Sequence, residues 1–166
     1  MNIVNENVYL EKVIIFLEEI GINVIEKQLD NATFLPGISL GPNCIYIDLK
    51  KILYAGDILH EAGHLAVITS SERENIDISD YHPSQGDEIA AMLWSYAALF
   101  HLNLPIEFVF HPDGYKGNSE WLISNYINEN YIGLPFLEWI GLTFGKINAE
   151  KQNKDTFPMM QKWLRD

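Results

Sequence analysis

Two histidines four residues apart, His60 and His64, constrain this chain more than any other feature, because on a helix they can bind one metal ion. Four residues of helix place them on one face, about 6 Å apart along the axis and about 40° apart in rotation. Glu61, in the run His-Glu-Ala-Gly-His, projects near that ion without having to bind it. A carboxylate in this position can take a proton from a metal-bound water molecule.

The residues around the motif predict a helix that is buried on one side. Gly63 costs a helix interior about 1 kcal/mol relative to alanine, which indicates a packing reason such as the close approach of another helix. An apolar stripe is predicted opposite the face of the histidines. Its members are Leu59, Ala62 and Ala66, with Ile58 or Leu65.

A catalytic zinc site usually has three protein ligands and one open position, so a third ligand is required. Glu88 is favoured, because it begins the apolar stretch Glu88–Phe100, where a buried carboxylate would need compensation. Two alternatives stay open. Glu88 could simply be a residue favoured at the N-terminus of a helix, with no metal to bind, or His82 in a polar loop could be the third ligand. The downstream candidates together are Asp80, His82, Asp87, Glu88, His101 and His111.

Four further residues are candidates for supporting roles. Asp57, one turn before His60, and Asp87 could each accept a hydrogen bond from the free ring nitrogen of a ligand histidine. His111 and Tyr115 could stabilise the oxyanion that forms when water attacks a carbonyl. Ordinary turn residues are the alternative interpretation of His111 and Tyr115.

These features together resemble the zincin metallopeptidases of the gluzincin type, in which HExxH on one helix is joined by a glutamate on the next. The layout is similar to the ImmA/IrrE-type peptidases and other minimal gluzincins, over roughly residues 5–102. The segment Glu88-Ile89-Ala90-Ala91 matches the Glu-x-x-Ala segment of that group. The resemblance implies that His60, His64 and Glu88 bind one zinc ion per chain, that Glu61 is the general base, and that the substrate is a peptide or protein.

The resemblance also implies an α+β, zincin-like fold. A small, mostly antiparallel sheet would pack on the motif helix and the second metal-ligand helix, with further helices towards the C-terminus. The length of 166 residues fits one domain, 1–166, with a metal-site core in 1–102 and a C-terminal extension in 103–166 packed on it. In zincins the strand before the motif helix commonly forms an exposed edge to which an extended peptide could add; an ordinary edge strand is the alternative.

Local patterns predict the remaining elements, with Pro42 and Asn43 as the turn of a hairpin. The predicted helices are 5–20, a helix from Asn118 or Ser119 towards Asn130, 134–141 with Pro135 in its first turn, and 157–164. The predicted strands or extended segments are 22–29, 33–35, the hairpin 37–48, and 105–110, and residues 69–87 are a polar link between the two metal-bearing helices.

Composition narrows the partners and the compartment. Eleven Lys and Arg against 23 Asp and Glu give a net charge of −12, which repels phosphate backbones and anionic membranes, so neither nucleic acid nor membrane is expected as a partner. The single cysteine, Cys44, suits a reducing compartment. With no signal peptide and no apolar stretch approaching about 20 residues, a cytoplasmic protein is expected.

The sequence therefore predicts a zinc-dependent hydrolase, with peptide cleavage as the first expectation. Because the chain departs from the family pattern after Ala91, a catalytically silent zincin-like module that binds metal and recruits a partner protein is the alternative. Hydrolysis of a non-peptide amide or ester is a third option. The sequence does not indicate an oligomeric state.

Overall fold

The computed structural model describes residues 3–30 and 33–166, and its mixed architecture confirms the predicted α+β class. These ranges contain seven α-helices, three short strands, and two 3-10 helices at Ile106–Phe108 and Tyr115–Gly117. None of these helices is long and apolar enough to cross a membrane. In chain order the elements are α1 (Ile3–Glu19), β1 (Asn23–Glu26), β2 (Ile38–Gly41), β3 (Cys44–Ile47), α2 (Asp57–Val67), α3 (Ser70–Glu74), α4 (Gln85–Leu102), α5 (Ser119–Ile127), α6 (Leu134–Trp139) and α7 (Lys146–Gln152).

The sheet is mixed, with the strand order β1-β3-β2. β2 and β3 form the predicted antiparallel hairpin, and Asn43 in its turn adopts a left-handed φ of 50°. β1 pairs with β3 in parallel, so the prediction of a mostly antiparallel sheet is wrong. The apolar β3 takes the centre, where both of its edges are paired; β2 and β3 are mostly buried, whereas β1 is mostly exposed. Residues 33–35 form no strand, since the carbonyl of Leu35 accepts a turn hydrogen bond from the backbone N–H of Ile38.

α2, the helix of the histidine motif, lies between the sheet and α4. It contacts β2 and β3 on one side and packs along α4. Of its eleven residues, all except Glu61 are buried, including every member of the predicted apolar stripe. The helix therefore depends on tertiary packing more than on its own short length, which would be marginal in isolation.

The backbones of α2 and α4 meet at Gly63. A Cβ at this position would lie 2.6 Å from the carbonyl oxygen of Ala91 and 3.0 Å from its Cα, which confirms the predicted approach of another helix. His60 and His64 flank Gly63 on α2, and Glu88 lies one turn before Ala91 on α4. The close crossing therefore brings Glu88 beside the two histidines.

Gly63→Ala is expected to lower the free energy of unfolding by about 2–3 kcal/mol or more, because the new methyl group would meet rigid backbone. Gly86→Ala, on α4, is the matched control, since its Cβ would make only ordinary contacts with side chains, those of Phe136 at 3.5 Å and Ser84 at 3.6 Å. Helix propensity alone should make that control neutral or more stable by up to about 1 kcal/mol. Urea unfolding of both variants measures the difference, and equal stabilities would contradict a close crossing at Gly63.

Several short helices after α2 follow their local signals. α5 begins after Asn118 and α6 has Pro135 in its first turn, as predicted. α3 lies within the segment that was predicted to be a polar link. Its capping box of Thr69 and Glu72 is a sequence signal for a helix start, although no helix was predicted there. α7 was likewise not predicted.

Two predicted elements of the C-terminal part are wrong. Residues 105–110 contain the 3-10 helix Ile106–Phe108 instead of a strand. Residues 157–164 form no helix, because backbone groups there bond to another segment. The N–H of Phe157, for example, donates to the carbonyl of Phe144 at 2.8 Å. Such tertiary partners outcompete the local helical pattern.

A buried arginine ties the C-terminal segment to the end of α2. The guanidinium of Arg73 donates to the carbonyls of Leu65 and Ile68 at 2.9 and 3.0 Å. It also donates to the carbonyl of Arg165 at 3.0 Å, and the N–H of Arg165 donates to the carbonyl of Ala66 at 2.9 Å. These bonds satisfy helix-end carbonyls that would otherwise lack partners.

Candidate metal centre

Three side chains converge where α2 and α4 cross. The Nε2 atoms of His60 and His64 lie 3.1 Å apart. Glu88 faces both of them, with one carboxylate oxygen 3.4 Å from His60 Nε2 and the other 3.2 Å from His64 Nε2. The two histidines are buried, and Glu88 is partly exposed. The structure thus brings together the three residues that the sequence predicted as metal ligands.

The spacing of these donor atoms fits a tetrahedral metal site. With zinc–ligand bonds of about 2.0–2.1 Å, neighbouring ligand atoms lie about 3.3–3.4 Å apart. The three measured separations, 3.1, 3.2 and 3.4 Å, are close to that edge length. Two imidazole nitrogens and one carboxylate are also a donor set typical of a catalytic zinc ion. The residues therefore fit a divalent metal ion of this kind.

Glu61 lies beside the same point, one residue after His60. One of its carboxylate oxygens and a ring nitrogen of each histidine all lie within 4.8 Å of one another, so this group alone could also hold a metal ion. The oxygens of Glu88 lie at the spacing expected for a ligand. Distance therefore favours Glu88 as the third ligand and leaves the Glu61 carboxylate available as a base.

The ionisable groups of the centre form an environment that would stabilise a bound cation. The hydrogen bonds with His60 and His64 hold the pKa of Glu88 well below its ordinary value. Burial lowers the pKa of His60, but its hydrogen bond with Glu88 and the nearby carboxylates raise it by more, so the net pKa is raised. Burial raises the pKa of Glu61, because its charge is costly where water is excluded. A bound cation would relieve each of these costs.

The two aspartates that were predicted to orient a ligand histidine have other partners. Asp57 binds Nε2 of His111 at 3.0 Å. Asp87 accepts hydrogen bonds from the N–H and the hydroxyl of Ser84, which is the N-cap of α4. Within the part of the chain that the structure describes, Nδ1 of His60 is buried and has no hydrogen-bond partner. Asp57 therefore influences His60 through its charge alone.

His111 and Tyr115 lie outside the lining of the cleft. The His111 ring stacks on Tyr54, with ring centroids 3.6 Å apart. The Tyr115 ring lies edge-on to His60 at 5.6 Å, and its hydroxyl is buried without a partner among the described residues. The contact of Tyr115 with the His60 ring indicates a packing role, and neither side chain is placed at the cleft, where a reacting carbonyl would lie.

Tyr81 is a residue of the centre that sequence reasoning missed. Its hydroxyl lies 3.4 Å from Nδ1 of His64, and its side chain lines the cleft. If Nε2 of His64 bound a metal ion, the ring hydrogen would lie on Nδ1, and Nδ1 would donate it to the Tyr81 oxygen. The neighbouring His82, the alternative third ligand, is exposed at the cleft wall. The only available sequence signal was the position of Tyr81 beside His82 in the link between the two ligand helices.

Tyr81→Phe is expected to weaken metal binding by about 10-fold, since hydrogen bonds to ligand histidines commonly contribute 10- to 100-fold to affinity and this bond is long. Competition with a chromogenic zinc chelator measures the dissociation constant. Tyr131→Phe, a change of the same kind outside the cleft lining, is the control. An unchanged affinity in Tyr81→Phe would mean that packing alone orients His64.

A cleft of about 680 Å³ opens in front of the centre. Its volume is in the range of small-molecule and peptide sites. One wall of the cleft is formed by β2, which is an edge strand. The last strand before α2 is β3, and it lies in the centre of the sheet. The expectation that the strand before the motif helix forms the exposed edge is therefore wrong, and its hairpin partner takes that place. The apolar lining includes Leu29, Leu35, Ile38, Leu40, Ile78 and Pro83.

No protein-family model, curated protein or solved structure matches this chain. The likeness to the gluzincins therefore depends on the motif of residues 60–64 and on Glu88.

Proposed function

We propose that this protein is a zinc-dependent peptidase with a zincin-like, gluzincin-type site. The observation that carries the proposal is the convergence of His60 Nε2, His64 Nε2 and the Glu88 carboxylate at 3.1–3.4 Å, with the free carboxylate of Glu61 beside them. Such a set is assembled from two helices and faces an open cleft. A purely structural metal site would instead be closed by four protein ligands.

Each residue of the centre has a distinct role in hydrolysis. His60, His64 and Glu88 would hold zinc, which when bound lowers the pKa of a water molecule and polarises a carbonyl oxygen. Glu61 accepts the proton of the attacking water and returns it to the amide nitrogen that leaves as an amine. Tyr81 keeps the His64 ring oriented through its hydrogen bond at Nδ1.

A peptide substrate is supported by the outer edge of β2, which pairs with no other strand among the described residues. Gly37 accepts a hydrogen bond from the N–H of Asp48 on the β3 side, so alternate residues along β2 turn their backbone groups towards β3. The intervening Leu40 then presents its N–H and C=O away from β3, and β2 lines the cleft. An extended peptide could pair with these groups as an added strand.

A cleavage screen against a mixed peptide library, read by mass spectrometry, tests the proposal. Reproducible cuts are expected, which a chelator abolishes and added zinc restores. Elemental analysis of the same preparation should give one zinc ion per chain. If the zinc-loaded protein cut no peptide, the proposal would fail, and a metal-containing protein-binding module would explain the site better.

A further inference from the structure

Two large apolar side chains are exposed at the cleft. Phe34, in the connection between β1 and β2, is 96% exposed, and Ile78, between α3 and α4, is 48% exposed. Single exposed apolar residues are common on protein surfaces and need no explanation. These two, however, come from different segments and both line the cavity that contains the metal centre. With the apolar walls around them they form a surface that an apolar side chain could cover.

The charges around the same cleft are of one sign. Its lining includes Asp30, Glu61 and Glu88, and among the described lining residues there is no lysine or arginine. A divalent cation at the centre would offset Glu61 and Glu88, which leaves Asp30 uncompensated. Asp77 and Asp80 add negative charge to the loop that carries Ile78.

The lysine that contacts Leu29 in the cleft lining already has bonding partners of its own. The ammonium of Lys51 donates to the carbonyl of Leu29 and lies 3.7 Å from the carboxylate of Asp48. Its charge is therefore offset by that of Asp48, and the structure shows no ion pair between Lys51 and Asp30. The whole chain, at −12, adds a negative field, which favours the approach of cations.

We infer that the cleft selects extended cationic peptides that carry a bulky apolar side chain, with that side chain against Phe34 and Ile78 and a lysine or arginine facing Asp30. This inference rests on the proposed function and names the substrate class of the same site. The backbone groups of Leu40 that face away from β3 would bond to the backbone of such a peptide without regard to its sequence, so selectivity falls to the apolar surface and to the charges.

Four peptides of equal length test the inference, with either leucine or alanine at the centre and either lysines or glutamates at the flanks. Replacing the central leucine by alanine is expected to lower kcat/KM by about 10-fold, from the apolar area left uncovered. Exchanging the lysines for glutamates is expected to lower kcat/KM by about threefold to fivefold at low ionic strength, and this ratio should shrink as salt is added.

Variants then connect each preference with its residues. Phe34→Ala and Ile78→Ala should each reduce the preference for leucine over alanine about threefold or more, since each removes part of the apolar surface. Asp30→Asn should remove most of the preference for lysine flanks. Trp121→Ala is the matched control, because Trp121 is also an exposed apolar residue, at 56%, but lies on α5 outside the cleft lining.

The outcomes separate this inference from the proposed function. Cleavage of all four peptides at equal rates would overturn the inference and leave the peptidase standing. If no peptide were cut, the proposed peptidase activity would be wrong. Binding of the four peptides, each carrying a fluorescent label, to the zinc-loaded Glu61→Gln variant would then test the inference by fluorescence anisotropy. Tightest binding of the lysine-flanked leucine peptide, weakened in Phe34→Ala, would support it, and equal binding of the four would overturn it.

Discussion

Replacing Glu61 with glutamine is expected to lower peptide hydrolysis by about 10²- to 10⁴-fold, which is the usual contribution of a general acid–base group. Glutamine keeps the size of the side chain but cannot accept the proton of the attacking water. The metal should stay bound, because Glu88, whose oxygens lie 3.2 and 3.4 Å from the histidine nitrogens, is expected to be the third ligand. The measurement is kcat for a peptide found by the screen, together with zinc content by elemental analysis.

Glu18→Gln is the matched control for this change, since Glu18 is an exposed residue of α1 and should retain full activity. Unchanged hydrolysis in Glu61→Gln would contradict the general-base role. Loss of both hydrolysis and zinc would assign Glu61 to the metal instead, in the group that it forms with His60 and His64.

Replacing Glu88 with alanine is expected to weaken zinc binding by more than about 100-fold, because loss of a ligand should exceed the 10- to 100-fold cost of losing a supporting hydrogen bond. Zinc binding also stabilises the folded chain, by about 2.7 kcal/mol when zinc is present at 100 times its dissociation constant. The variant should therefore lose most of the rise in Tm that added zinc produces in the wild type. Chelator competition and thermal unfolding with and without zinc measure both effects.

Asp87→Ala separates ligation from helix stability. Asp87 precedes Glu88 on α4 and completes the capping box with Ser84, so its loss should cost about 1 kcal/mol of stability but leave zinc affinity nearly unchanged. If Glu88→Ala retained zinc, the third ligand would be Glu61 or His82. If the wild type took up no zinc even when supplied, the motif would be structural and the binding module would be favoured.

The C-terminal part of the fold shows where local patterns fail. The apolar run at 157–164 is consistent with a helix, yet backbone bonds such as that from Phe157 to Phe144 hold it in another conformation. Trp163 in this run accepts a hydrogen bond from the indole N–H of Trp94 on α4. Trp94 and Trp163 are 69 residues apart in the sequence, so no local window contains both of them.

The sheet shows a related limit. The hairpin of β2 and β3 was predictable, because its two strands are joined by a two-residue turn and pair with each other. β1 pairs with β3 and not with β2, although both strands are equally buried, and no local pattern in the sequence distinguishes the two partners. The same choice made β2 the edge strand that lines the cleft.

At the centre itself, the sequence alone determined that His60, Glu61 and His64 would lie together, because the helical repeat places residues four apart on one face whatever surrounds them. Glu88 was a candidate from its place at the start of an apolar helix, with His82 as its rival. Only the tertiary structure shows that Glu88 lies at ligand distance from the two histidines. The close contact of Gly63 with Ala91 places it there, because this contact sets how α4 crosses α2.

Tyr81, the apolar surface of Phe34 and Ile78, and the edge of β2 were likewise decided by tertiary structure alone. Each belongs to a loop or strand whose direction is set by contacts far away in sequence. Short-range helical geometry is encoded in residue spacing, whereas the meeting of separate segments depends on the packing free energy of the whole chain, which no local pattern contains.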